Sequence, residues 1–155
     1  MRITNYNLEQ EPNGRAILVK ESAFNIHGTE FFDSPSKVSG FFKDYYGLDR
    51  KAEEYVFTIA LNTKLKPIGI FQIGHGTSNS CFCPPLEILI RLLFSGASGF
   101  IVAHNHPSGD PAPSKEDFEF AECLKEASDI IGIRLYDHII VAQDDFHSFA
   151  DSRTF

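Results

Sequence analysis

The chain has 155 residues, 43% of them hydrophobic and 23% charged, with 21 acidic against 14 basic side chains and a formal net charge of -7. A chain of this length folds as one globular domain that buries about two-thirds of its unfolded surface, so its core needs neither disulfides nor a structural metal, and any metal it takes serves function. The acidic balance, with no basic cluster larger than Arg50-Lys51, excludes a DNA-coating role and counts against nucleic acid as a strong direct partner. Residues 1–15 are polar around the turn signal Pro12-Asn13-Gly14 and read as an N-terminal arm or lead-in, leaving residues 16–155 as a single domain. Residues 16–20 read as a strand. Ser34 then caps a helix with Pro35 at its first position, Val38, Phe41, Phe42 and Tyr45 on its inner face, and Gly47 at its end.

Residues 54–61, rich in aromatic and β-branched side chains, turn through residues 62–67 into residues 68–73, a β-hairpin. Pro84-Pro85 opens a second helix in which Leu86, Leu89, Ile90 and Leu93 repeat at helical spacing, closed by Gly96 or Gly99. Phe100-Ile101-Val102-Ala103 suits a central strand buried on both faces and delivers the chain to His104. Ser114 starts a third helix with Phe118, Ala121 and Leu124 inward, ending near Gly132. Residues 133–142 form another strand, and Asp144-Asp145 turns into a short one over residues 146–149. This order predicts an α/β fold, a mixed central sheet flanked by helices.

The segment that carries chemistry runs from His104 to Asp117. His104 and His106 stand two residues apart at the end of a buried strand, where the two-residue pleat sends both imidazoles to one side. A catalytic zinc takes about three His or carboxylate ligands and keeps one position for water, and Asp117 can be the third ligand, returned over the strand end by a loop that Pro107, Pro111 and Pro113 stiffen. Ser114 to Asp117 is equally a helix N-terminus, with a Ser cap and a first-turn acid, and the two uses are compatible. The full spacing, His-x-His-x7-Ser-x2-Asp, arises in about one shuffled version of this composition per thousand. Hydrolysis also needs a carboxylate to take and return a proton. Upstream candidates are Glu53, Glu54 and Glu87, with Glu54 at the start of its strand; a solvated surface site is the ordinary alternative for each.

These residues resemble a known family. His104-Asn105-His106-Pro107-Ser108-Gly109, Pro113-Ser114 and Asp117 look like the JAMM (MPN) metalloprotease signature in its bacterial RadC-like form. The resemblance spans residues 16–150 and takes in Ser34-Pro35, Glu54, Pro85-x-Glu87, Asp137-His138-Ile139-Ile140-Val141 and Ser148-Phe149. It implies a cytidine-deaminase-like α/β fold, a Zn2+ ion held by His104, His106 and Asp117, a water activated by Glu54, and Ser114 hydrogen-bonding the tetrahedral oxyanion. Full-length relatives carry a helix-hairpin-helix region in front, which nothing in residues 1–50 matches, and isopeptidase members usually have Ser where this chain has Asn105.

The expectation is therefore a zinc-dependent metallopeptidase or isopeptidase acting on a peptide or protein substrate. The alternative is a zinc-retaining accessory or DNA-associated binding module. A zinc deaminase would need His-x-Glu and Pro-Cys-x-x-Cys, and the chain has neither. Cys81-x-Cys83 has no second close pair and reads as thiols without a metal. Asp137-His138 fits polar residues on a half-exposed strand or, alternatively, a carboxylate supporting a zinc-bound His. His27, His75 and His147 read as surface residues, and Phe24, Phe31, Phe32 and Phe82 as core packing rather than an exposed patch. The odd cysteine count (Cys81, Cys83, Cys123), the polar start Met1-Arg2-Ile3-Thr4-Asn5 and the absence of an apolar run of about 18 residues point to the cytoplasm, with no membrane span.

Overall fold

A computed structural model describes residues 1–27, 32–78 and 83–152. Seven strands and three helices follow the order β1 (Arg2–Gln10), β2 (Ala16–Asn25), α1 (Pro35–Tyr46), β3 (Tyr55–Leu61), β4 (Pro67–His75), α2 (Pro85–Ser95), β5 (Gly99–Asn105), α3 (Lys115–Ile131), β6 (Arg134–Val141) and β7 (Phe146–Ser148), with a 3-10 turn at Leu48–Arg50. The strands make one mixed sheet, β2-β1-β4-β3-β5-β6-β7. Its centre is the antiparallel β3/β5 pair, with Val56 opposite His104, and the parallel β5/β6 pair, with Val102 opposite His138.

Alternation along the central strands divides the core between the two faces. Ile101 and Ala103 pack with Phe57, Ile59 and the α1 residues Val38, Phe41 and Phe42, whereas Phe100 and Val102 pack with Val56, Ala60, Ile88, Leu92 and Leu124 on the side of α2 and α3. All seven residues of β5 are buried, as a strand covered by helices on both faces must be. Continuing the same alternation puts His104 and His106 on the α3 side, and Glu54, two residues before Val56, on that side too.

Four expectations need correction. Residues 1–15 are not an arm: β1 pairs with β2 over its whole length and lies parallel to β4, with Asn5 opposite Ile70. In α1 the inward aromatic is Tyr46, which packs on Phe42 and Phe57, while Tyr45 is exposed. In α2 the buried face is Ile88, Leu89 and Leu92, and Leu86 and Leu93 point outward; Phe118 of α3 is exposed as well. Phe32 is core and Phe24 packs against it, whereas Phe31, Phe82 and Cys81 lie outside the described residues. Among the described residues no helix is long and apolar enough to cross a membrane.

Candidate metal centre

The site sits at the C-terminal end of β5, where α3 begins above the sheet. His104 and His106 reach it because they alternate with Asn105. Beyond them the chain turns tightly, Gly109 N–H donating to His106 O at 3.1 Å, with Gly109 at φ +83°, a backbone region that residues other than glycine rarely adopt. The loop also fixes its own histidine, since the Asp110 carbonyl oxygen accepts from His106 Nδ1 at 2.9 Å.

Asp117 is fixed by the start of α3. Ser114 is the N-cap: its Oγ accepts from Asp117 N–H at 3.1 Å, while Asp117 Oδ2 accepts from Ser114 N–H at 2.7 Å and from Ser114 O–H at 2.6 Å. This is a reciprocal capping box with Asp in the third position, and it aims the free part of the carboxylate at the imidazoles. Asp117 Oδ1 lies 3.1 Å from His104 Nε2 and Oδ2 lies 3.3 Å from His106 Nε2. Capping and convergence on the His pair thus coexist, and in this arrangement the Ser114 hydroxyl proton is directed at Asp117.

One ligand atom from each of His104, His106 and Asp117 falls within 4.8 Å of the other two, so the cluster can hold a metal ion. The protons support the fit. A carbonyl only accepts, so His106 Nδ1 carries the hydrogen and the neutral ring's Nε2 presents a lone pair. His104 Nδ1 lies 2.8 Å from His138 Nε2, and when it donates there, His104 Nε2 presents a lone pair as well. The two Nε2 atoms are 3.1 Å apart beside a carboxylate. Lone pairs and a negative charge at that spacing repel unless a cation lies among them, and two imidazoles with one carboxylate are a donor set suited to a divalent transition metal.

The charges respond accordingly. Burial opposes a charged His106, but hydrogen bonds to Asp117 and the Asp110 carbonyl outweigh it and raise the pKa above the ordinary histidine value. Burial likewise works against an ionised Asp117, yet His104, His106 and Ser114 hold its pKa far below the usual carboxylate range.

Glu54 lines the same open cleft of about 1160 Å³ as His104, His106, Ser114 and Asp117, and its charge is felt at His106. The other two candidate carboxylates are engaged elsewhere: Glu53 Oε2 contacts His75 Nε2 at 2.6 Å, and Glu87 pairs with Arg91 at 2.9 Å on α2. No Lys or Arg is among the described residues that line the cleft.

Asp137 and His138 are both buried, which corrects the half-exposed strand expected for them. Asp137 directs its hydrogen bonds to neither His104 nor His106. It accepts from Ser148 O–H at 2.6 Å, His138 N–H at 2.8 Å and Ala150 N–H at 3.0 Å, tying β7 to β6, and burial raises its pKa. His138 itself takes the supporting place beside His104, stacked on Phe149 with ring centroids 4.7 Å apart. Sequence reasoning missed this role. The available signal was a polar pair inside a strand, Ile133 to Ala142, whose other half is wholly apolar. Of the remaining histidines, His27 and His75 are exposed and His147 is half-buried; Cys83 is half-buried against the core and Cys123 exposed.

Comparison with known proteins follows the same residues. The sequence model of the RadC-like JAB domain matches residues 32–154. The chain belongs to the RadC-like JAB domain family. Among curated relatives, a UPF0758 protein of Geotalea uraniireducens is 38% identical over 129 residues, covering 83% of this chain and 56% of the relative. One from Thermotoga maritima is 42% identical over 122 residues, 79% of this chain and 54% of the relative, and one from Carboxydothermus hydrogenoformans is 39% identical over 124 residues, 80% and 54%. The chain therefore spans about half the length of the curated relatives it matches. Family and fold agree with the resemblance that the His104-to-Asp117 motif carried, a seven-stranded mixed α/β sheet with three helices.

Proposed function

We propose that the protein is a zinc-dependent hydrolase that cleaves peptide or isopeptide bonds. One observation carries this reading: His104, His106 and Asp117 converge in a cleft that Glu54 shares and that opens to solvent. Zinc supplies Lewis acidity to water and to a scissile carbonyl when bound by such a set. The chain's own groups do the rest. Glu54 takes a proton from the attacking water and returns it to the leaving amine. The Ser114 hydroxyl, now donating to Asp117, swings to the oxyanion as charge develops there. Val56, Pro84, Pro85 and Phe120 give the cleft an apolar wall for an extended peptide. A cleft whose described lining carries carboxylates and no Lys or Arg favours such a substrate over a phosphate backbone, and the cysteine count supports a cytoplasmic setting.

The test is elemental analysis of the purified protein together with cleavage of peptide libraries. One zinc per chain is expected, reduced to substoichiometric in Asp117→Asn, with cleavage abolished in Glu54→Gln while its zinc is kept. Protein without metal after zinc reconstitution would overturn the reading. Full zinc occupancy with no cleavage of any peptide would turn it toward a binding module that retains the metal.

A further inference from the structure

Asn105 is the residue between the two imidazoles. Its side chain is on the other side of β5 from theirs and is 1% exposed. Asparagine is depleted from strands, and a buried amide is costly unless each polar atom is satisfied. Here both are. Asn105 Nδ2 donates to the Glu53 carbonyl oxygen at 3.0 Å, and Asn105 Oδ1 accepts from Tyr55 N–H at 2.9 Å. The orientation of the amide is fixed by its partners, because a backbone N–H only donates and a carbonyl only accepts. These two bonds straddle Glu54. The backbone ladder between β3 and β5 has its last pair at Val56 and His104, and the amide prolongs it by one step. On the opposite side Glu54 N–H donates to Thr77 O at 2.9 Å and Gly76 N–H donates to Glu54 O at 2.8 Å. The glutamate's backbone is thus held from both neighbours, although it precedes the first residue of β3.

We propose that Asn105 is the positioning residue of Glu54: through its two bonds to the flanking peptides it sets where the Glu54 carboxylate stands over the His104, His106 and Asp117 cluster. The side chain matches this task. An amide presents a donor and an acceptor side by side, as a peptide unit does. Aspartate keeps only the acceptor, and serine is too short to reach both groups at the same backbone spacing. One strand end therefore assembles two functions at once, ligands from alternate residues on one side and control of the base from the residue between them.

The inference rests on Glu54 being the base, and the experiment separates the two. Cobalt(II) alone is the probe, titrated into metal-free wild type, Glu54→Gln, Asn105→Ala and Asn105→Asp, with the visible d–d spectrum recorded at saturation. Tyr55 amide exchange is followed by NMR in the zinc-loaded proteins. Expected are a d–d spectrum in both Asn105 variants displaced in the direction of Glu54→Gln, cobalt affinity within about threefold of wild type, and Tyr55 exchange faster by about tenfold or more in Asn105→Ala but not in Asn105→Asp, which keeps the acceptor. A wild-type spectrum in the Asn105 variants, with Glu54→Gln displaced, would sink the inference and leave the base intact. A wild-type spectrum in Glu54→Gln would remove the base and the inference with it. Unchanged Tyr55 exchange in Asn105→Ala, or loss of cobalt binding in both Asn105 variants, would assign the amide to general structural support instead.

Discussion

His104 can bind a metal through Nε2 only if its own proton is on Nδ1, and its neighbour decides that. With Nδ1 donating to His138 Nε2, the His138 proton sits on Nδ1, an atom that is buried and meets no hydrogen-bond partner among the described residues. The reverse tautomer puts the His104 proton on Nε2, where it donates to Asp117 Oδ1 at 3.1 Å and blocks the metal. His138 is held neutral, its pKa lowered by burial and then by His104, so the ring offers His104 an acceptor rather than a second positive charge. Replacing it frees His104 to rotate: His138→Ala is expected to weaken zinc binding by about 10- to 100-fold, read by competition with a chromophoric chelator. Proton competition gives a second prediction. The His106 pKa is raised in the metal-free protein, so protons hold this ligand up to a higher pH than in free histidine, and zinc must displace them. Affinity is therefore fully developed above the His106 value and declines as pH falls through it. Isothermal titration between about pH 6 and 8 should show that decline together with proton release on binding. His104, His106 and Asp117 were legible because spacing encodes them. His138 was not, because its contact with His104 joins residues 34 positions apart in the chain.

At the scale of elements, helix boundaries were written in local chemistry and helix faces were not. Pro35, Pro85 and Ser114 stand at the starts, and Gly47 and Gly132 at the ends, where the sequence put them; of the two glycines it offered for the end of α2, Gly96 closes the helix. The inward face of α2 was misread because Leu86, Leu93 and Phe94 make its outer side apolar too, so periodicity could not separate the faces. Tyr45 and Tyr46 offered adjacent aromatics, and only the sheet below selects between them. The β5/β6 crossing leaves a testable mark at Gly99. A Cβ built there would lie 2.3 Å from the Tyr136 ring and 2.9 Å from the Arg134 carbonyl oxygen. Gly99→Ala should therefore destabilise the protein by about 1–3 kcal/mol, measured by chemical denaturation, since backbone as well as a side chain must move.

Over the whole molecule, α1 covers one face of the central strands and α2 and α3 the other, while the β1/β2 hairpin extends the sheet at its margin. Its first strand was illegible for a physical reason, although residues 16–20 of the second were read as a strand. Of the nine residues of β1 only Ile3 is buried, and the rest are half-buried or exposed, so the segment lacks the apolar signature of an interior strand. It is nonetheless integral: Ile3 and Ile26 belong to the α1-side core, and the Tyr6 ring lies against Gly69 and Phe71 of β4. Deleting residues 1–25 should strip the edge of β4 and replace a single cooperative thermal transition, followed by circular dichroism, with a broad or lower one.

The alternation of β5 has a last consequence for how the protein is assembled. Sliding this strand by one residue against β3 would send both imidazoles to the side Asn105 now occupies, and the amide into the cleft. Misfolded chains of that kind would lack the ligand pair and the brace on Glu54 together, with no half-built version in between. Metal stoichiometry in a preparation then doubles as a count of the molecules whose central strands have found their proper neighbours.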